Sequence, residues 1–431
     1  MSRLFIDTPY LVFQNQETQN DAPLEMAPDE LATLRALAQD YAEIAAEKVN
    51  AERKRLWASL NDLEPTRPLL WMNEVCWNEM DVDGELRLRT RNEVCQRIES
   101  ELRKTLYQWR HMQGDMVVEG TFFSPSILRN DGVGVKVEAD VLETEADRQI
   151  ASRRFHNQFA RDEGLERIHP PHVELDRART EAFRAFYARV FEGILPVATR
   201  GCTGFWFAPW DDLVFFMGAE NVLTALLERP DFMHALVGRL VEAYLVGLER
   251  FRELGLIAPN HLNVRVGSGG YGYTRQAPSD AALGPWGAAT AQIFGSVSPE
   301  MHQEFGLAYE RRWLAKWDLA YYGCCEPLHD KLAILSSIPN LRKVSVSPWA
   351  DVAASAEAMR GRYVMSLKPS PQVLAGPEFD PEAVRRELRG KLSAARGCNV
   401  EIILKDISTV RHEPRRLWEW VRVANEVITS L

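Results

Sequence analysis

From about residue 65 onward the chain repeats one rhythm: a short apolar run, then a stretch with apolar residues at three- and four-residue spacing. Runs of strand character lie at 68–74, 115–121, 195–202, 261–266, 317–323, 342–347, 362–368 and 399–405. Amphipathic stretches such as 221–254, 299–316 and 381–395 separate most of them. Strands joined through helices pair in parallel by right-handed crossovers. Eight such strands predict an α/β fold of the closed (β/α)8, or TIM-barrel, kind. An open doubly wound sheet is the alternative, but no glycine-rich turn follows the first strand. The 431 residues hold one such barrel, which takes roughly 250 residues, and an appended segment.

That segment is N-terminal. Leu31, Leu34, Leu37, Ala38, Tyr41, Ile44 and Ala45 recur at helical spacing, and the pattern runs over 25–62. NDLEPTRP then ends it, because its prolines cannot extend a helix. The boundary falls near Glu64: residues 1–64 form a helical extension and 65–431 the barrel. Two irregular stretches, 122–180 and 267–287, read as insertions over the C-terminal mouth of the barrel, where function usually sits.

The net charge of −10 argues against a nucleic-acid surface, which needs a basic patch. The first residues, MSRLFIDTPYLVF, lack the pattern of a secretory leader. No apolar run approaches the roughly 20 residues of a membrane span. Six cysteines in a chain this long do not form a disulfide framework. The cytoplasm is therefore the expected compartment.

Polar residues at the predicted strand ends carry the candidate chemistry. The segment Cys324-Cys325-Glu326-Pro327-Leu328-His329 falls where a strand ends and a helix begins. Thiolates bind zinc well, and a catalytic zinc keeps three protein ligands and an open position. Two ordinary buried cysteines, or a vicinal disulfide, are the alternatives. Glu74 and Glu119 end the first two strands, where a carboxylate can serve as acid, base or ligand, or simply anchor an arginine. Arg200 with Cys202, and Asn263 with Arg265, end the third and fourth; strand alternation turns only one of each pair inward. Lys368 and Lys405-Asp406 end the last two, where barrels often bind anions. Asp115, at a strand start, belongs to the opposite face. Trp206, Phe207, Trp210, Phe215 and Phe216 read mostly as core, whereas Tyr271 and Tyr273, in a glycine-rich loop, are read as facing the mouth. His169 and His172 have ligand-like spacing but flank two prolines in a loop.

Several stretches resemble the uroporphyrinogen decarboxylase superfamily. FGSVSPEMHQEFGLAYERR resembles its Leu-Ser-Pro-Glu helix start, and YYGCCEPLHDKLAIL resembles the strand-turn-helix that carries His-x-Cys-Gly in the methylcobamide:coenzyme M methyltransferases. VSVSPWADVAASAEAMRGRYVMSLKPSP resembles the end of the barrel, and the likeness runs in order over roughly residues 66–431. The resemblance implies a methyltransferase that moves a methyl group between a small donor or thiol and a corrinoid carried by a separate protein. Cys324 stands at the family's zinc cysteine, Tyr322 replaces its histidine, and Asp406 falls near its last cysteine. The expected set is therefore zinc on Cys324, Cys325 and Asp406, with Glu74, Glu119 and Tyr322 catalytic. Arg200, Asn263, Tyr271, Tyr273 and Lys368 would bind substrate. The decarboxylases grip carboxylates with first-strand arginines, which PLLWMNEVCWNEM lacks. A metal-free lyase acting on a smaller carboxylate is thus the second reading, and a non-catalytic ligand-binding barrel the third. Members of the superfamily often pair, so a homodimer is expected.

Overall fold

The computed structural model describes residues 22–142 and 152–431. Residues 1–21 of the expected extension, with the N-terminal run read above for a leader, and 143–151 of the long insertion lie outside them.

Seven strands form one parallel sheet. Two more, β2 (Phe122–Pro125) and β3 (Val197–Arg200), form a separate parallel pair. The seven are β1 (Leu69–Met72), β4 (Trp206–Phe207), β5 (Trp286–Ala289), β6 (Leu319–Tyr322), β7 (Leu341–Val346), β8 (Val364–Leu367) and β9 (Asn399–Leu404), in the order β1-β9-β8-β7-β6-β5-β4. LLWM, LAYY and VMSL are almost wholly buried, as strands covered on both faces must be. All seven point the same way, so the residues just past their C-terminal ends share one rim.

Six of the eight expected strands are present, and two differ for visible reasons. In 115–121 the amide of Asp115 bonds to Leu70, but that of Val118 is taken by the Asn50 side chain, so no ladder forms. In 261–266 the chain folds back on itself: Val266 N–H donates to Gly270 and Gly272 N–H to Val264. Trp206–Phe207 and Trp286–Ala289 supply strands instead. Among the described residues the ladder is open between β1 and β4, in place of the continuous eight-stranded ring.

The expected single helix over 25–62 is two, α1 (Pro28–Ala45) and α2 (Lys48–Asn61). α2 is fastened to the body. Trp57 donates its indole N–H to the Asp115 carbonyl, Arg53 donates to that of Met116, and Asn61 to those of Tyr271 and Tyr273. α1 packs on α3 (Glu93–His111), whose N-cap Asn92 accepts from the amides of Val94 and Cys95. The long helical stretch 221–254 divides at Pro230 into helices Ala219–Glu228 and Pro230–Glu253.

Residues 266–273 overturn an expectation. The glycine-rich loop is not at the mouth but inside the sheet, with Tyr271 and Tyr273 buried. Gly270 donates to Glu401 of β9, and Ser268 Oγ lies 2.9 Å from Tyr321 Oη. A Cβ on Gly269 would lie 2.4 Å from Glu401 Oε1, and one on Gly270 would lie 2.4 Å from the Trp57 ring. Glycine appears here because backbone must touch core side chains. Beside the loop, Lys343 and Glu401 form a fully buried ion pair at 2.8 Å.

No helix among the described residues is long and apolar enough to cross a membrane.

Candidate functional site

The rim gathers four polar side chains from three strand ends. Glu74 follows β1, Cys325 follows β6, and Lys405 and Asp406 follow β9. Lys405 Nζ lies 2.6 Å from Asp406 Oδ2, 3.4 Å from Glu74 Oε2 and 3.5 Å from Cys325 Sγ. Cys325 Sγ is 3.5 Å from Asp406 Oδ2, and the Asp406 amide donates to Glu74 Oε2 at 3.3 Å. Arg265 reaches Glu74 Oε1 at 3.5 Å. Glu74 and Asp406 both hold a left-handed backbone, φ 54° and 56°. That conformation is costly for a side chain with a Cβ and concentrates at functional sites. Strain at two facing positions, on adjacent strands, fixes where the two carboxylates point.

The two cysteines divide their roles. Cys324 is buried, and its Sγ stands 3.6 Å from that of Cys325, which is partly exposed. The hydrogen bond from Cys324 lowers the Cys325 thiol pKa against the effect of burial, and the Lys405 charge adds to this. The same contact and burial raise that of Cys324. Lys405 is buried, which by itself disfavours its charge. The cysteines and carboxylates around it, Cys324, Glu74, Cys325 and Asp406, outweigh burial and raise its pKa. The arrangement is a partly exposed thiol of lowered pKa beside an ammonium, with a second, buried thiol behind it.

This donor set does not fit the expected zinc. A zinc site needs at least three converging deprotonated ligands. Among the described residues no three His, Cys, Asp or Glu side chains converge in that way. The cation that neutralises Cys325 and Asp406 is the Lys405 ammonium, within 3.5 Å of both.

The other expected residues disperse. Tyr322 points away from the interior, because Tyr321 before it points inward, to Ser268 and Lys368. Its hydroxyl donates to Glu310 Oε2 at 2.6 Å and meets His302 Nε2 at 2.6 Å, among the packed helices. Glu119 accepts from Lys54 of α2 at 2.5 Å and from the Tyr273 hydroxyl, and so ties α2 to the inserted loop. Arg200 lies over the Phe123 ring at 4.2 Å. Lys368 is buried, donating to Tyr321 Oη at 2.9 Å and Ser345 Oγ at 2.7 Å. Ser345 in turn donates to the Cys324 carbonyl, so Lys368 supports the cysteine turn from beneath. Asp115, as expected, is structural: it pairs with Arg67 and accepts from the Leu70 amide. His172 is exposed and paired with Glu174. Trp206, Phe207, Trp210 and Phe216 are core.

Of the expected residues, Asn263, Tyr271 and Arg265 do meet, with Asn73 beside them, around a cavity of ≈ 270 Å³ in the gap beside β1. α1 and α3 close its far side with Tyr41, Glu101 and Gln108. The outer residues escape sequence reading because each looks like an ordinary member of an amphipathic helix.

A second polar group, also missed, is buried beneath the rim. Burial raises the Glu310 pKa to about 8 and that of Asp211 to about 7, and raises Asp212 and Glu326 as well. Burial, with the Lys331 charge, drops His302 to about 3. The sequence signal for Asp211-Asp212 was an acidic pair inside the apolar helix PWDDLVFFM. A π-turn, His302–Leu307, brings His302 to Tyr322.

No protein-family model matches the chain, and no curated protein matches it. Among solved structures, the fold is similar to that of a methyltransferase from Methanosarcina mazei. The TM-score is 0.50 at 13% identity, over 87% of this chain and 98% of that one.

Proposed function

We propose that the chain is an enzyme of the uroporphyrinogen decarboxylase superfamily, its 65–431 portion a (β/α)8 barrel and 1–64 an extension to it. It transfers a methyl group between a small donor or thiol and a corrinoid carried by a separate protein, working in the cytoplasm. The observation that carries this reading is the rim cluster: a half-exposed Cys325 held by Lys405 and Asp406, with Glu74 fixed beside it in a strained backbone. The sequence resemblance and the fold similarity to a methyltransferase support it. In this reading Cys325 and Lys405 bind and polarise the methyl-accepting or methyl-bearing group, and Glu74 and Asp406 hold the Lys405 proton in place. The reading assigns no step to zinc; the cation beside Cys325 and Asp406 in it is the Lys405 ammonium. An exposed indole on the same rim, Trp349 just past β7 and 74% exposed, offers a contact for the carrier protein.

The test is demethylation of methylcobalamin, followed by its absorbance, with small thiols as acceptors, and the reverse reaction with reduced cobalamin and a panel of methyl donors. Turnover that is lost in Cys325→Ser and Lys405→Met is expected. No transfer in either direction, or transfer indifferent to both substitutions, would sink the proposal.

The lyase reading has one observation in its favour: Arg265, on the cavity wall, can bind a carboxylate bidentately. Carbon dioxide release from small carboxylic acids, without methyl transfer, would select it.

A further inference from the structure

Cys324 and Cys325 are consecutive, and the fold gives them opposite surroundings. Cys324 is 1% exposed and packs against Trp206 and Ala208. Its amide donates to Glu326 Oε2 at 2.9 Å and its carbonyl accepts from Ser345 Oγ at 2.6 Å, so its backbone is held from both sides. Cys325 is partly exposed on the rim, with Lys405 Nζ and Asp406 Oδ2 each 3.5 Å from its sulfur. The two sulfurs stand 3.6 Å apart. A disulfide bond measures about 2.05 Å, so rotation of the Cys325 side chain has only about 1.5 Å to close. An oxidant arriving from solvent meets Cys325 first, and whatever it forms there has a second thiol against it. Lys405, itself held by Glu74 and Asp406, favours the reactive thiolate form of Cys325.

We infer that Cys325 is a site of reversible oxidation by peroxides and that Cys324 is its built-in resolving thiol. In the first step the Cys325 thiolate attacks one oxygen of hydrogen peroxide. An S–O bond forms, the O–O bond breaks, and hydroxide leaves and takes up the proton that the thiol released. Cys325 is then a sulfenic acid. In the second step the Cys324 sulfur attacks the Cys325 sulfur. The S–S bond forms, the S–O bond breaks, and the hydroxyl departs as water with the Cys324 proton. Two thiols have lost two electrons and two protons, and one peroxide has become two waters. Without a thiol behind it, an exposed sulfenic acid goes on to a sulfinic acid, which simple thiols do not reverse. The disulfide product is strained: consecutive Cα atoms are about 3.8 Å apart, short of the roughly 4.4–6.8 Å that disulfides span. Strain makes a disulfide easier to reduce, so this one serves as a switch and not as a staple. The oxidation needs no methyl transfer; in the methyl-transfer reading, the oxidised chain lacks the thiol that meets the methyl group.

The experiment treats the full reduced chain with hydrogen peroxide, blocks the remaining thiols with iodoacetamide and reads each cysteine by mass spectrometry. The peptide holding Cys324 and Cys325 should be two hydrogens lighter and unalkylated, and dithiothreitol should restore both thiols. In Cys324→Ala the same peroxide dose should carry Cys325 on to a sulfinic acid, two oxygens heavier, that dithiothreitol does not recover. Lys405→Met should form the disulfide about tenfold or more slowly. Circular dichroism checks that each variant folds; if one does not, the wild-type product still decides. Three wild-type results would overturn the inference: both cysteines still alkylated at a dose that consumes free glutathione, a sulfinic acid at Cys325 as the first stable product, or Cys325 joined to a second chain. A Cys324→Ala chain in which Cys325 stays fully recoverable would deny Cys324 the resolving role. None of these readouts depends on turnover, so absence of methyl transfer would sink the proposed reaction and leave the oxidation site standing.

Discussion

Two polar groups inside this molecule look alike in a residue list and differ in kind. Lys343 and Glu401 are fully buried, 2.8 Å apart, and enclosed by the inserted loop, with unstrained backbone. Lys405, Asp406, Glu74 and Cys325 sit one strand end away, half-covered, with two of the four in left-handed conformations. The first group satisfies itself and holds the interior together. The second leaves a thiol and carboxylate oxygens facing outward and stores strain to do so. Burial and charge are therefore not enough to mark a site; unspent hydrogen-bonding capacity and local strain are what separate the two.

Removing one partner of the buried pair should have the largest effect on stability. Lys343→Met is expected to cost about 3–5 kcal/mol, because it strands Glu401 without a counter-charge. Urea midpoints should show most of that loss recovered in K343M/E401L. If the single variant is as stable as wild type, the contrast drawn between the two groups fails.

At the rim the expected effect is on reactivity. Lys405→Met should slow alkylation of Cys325 by iodoacetamide about tenfold or more, since the ammonium is lost from the thiolate. Site-resolved mass spectrometry would also show Cys325 reacting ahead of the buried Cys324 in the wild-type chain. Equal rates at the two positions would break the assignment of roles.

Between these in position, the acids beneath the rim set a pH slope. Glu310 stays protonated in the folded chain up to about pH 8, against 4.5 when exposed. Within that window the unfolded state binds fewer protons, so stability falls as pH rises. Its slope is at most about 1.4 kcal/mol per pH unit. E310Q should remove this share between pH 5 and 8, leaving the slope from Asp211, raised to about 7, and from Asp212 and Glu326, which burial also raises. An unchanged slope would mean that the Tyr322–Glu310 contact is not as dry as its burial indicates.

The smallest effect is expected at Trp349. W349A should shift stability by no more than about 0.5 kcal/mol, as exposed positions do. It should leave Cys325 alkylation unchanged while weakening transfer to a protein-bound corrinoid more than to the free cofactor. Loss of stability beyond that would place Trp349 in the fold instead of at a docking surface.

The βα rhythm, the apolar strands and the N-terminal helices were legible in the sequence because each is a local pattern of burial. Strand ends were legible too, so Glu74, Cys325 and Asp406 could be named as rim candidates from position alone. Which side a residue faces was not legible. Tyr322 and Tyr321 are neighbours, and a shift of one residue in phase exchanges interior for helix layer. Glu119 and Tyr273 looked like mouth residues until α2 supplied Lys54 and the loop turned inward. A glycine-rich run gives the same sequence signal whether it is an exposed loop or backbone pressed into a core, since both need the missing Cβ.

The sequence by itself determined the order of elements and the chemistry present at their ends. Only the tertiary structure decided that Lys405 neutralises the thiol and the carboxylate, that the loop 266–273 fills the sheet, and that a cavity opens where 115–121 fails to pair. Local pattern follows from residues a few positions apart. Each of these outcomes depends instead on groups far apart in the chain, such as Asn50 with Val118, 68 positions apart, Cys325 with Asp406, 81 apart, and Glu74 with Asp406, 332 apart, whose meeting no local period encodes.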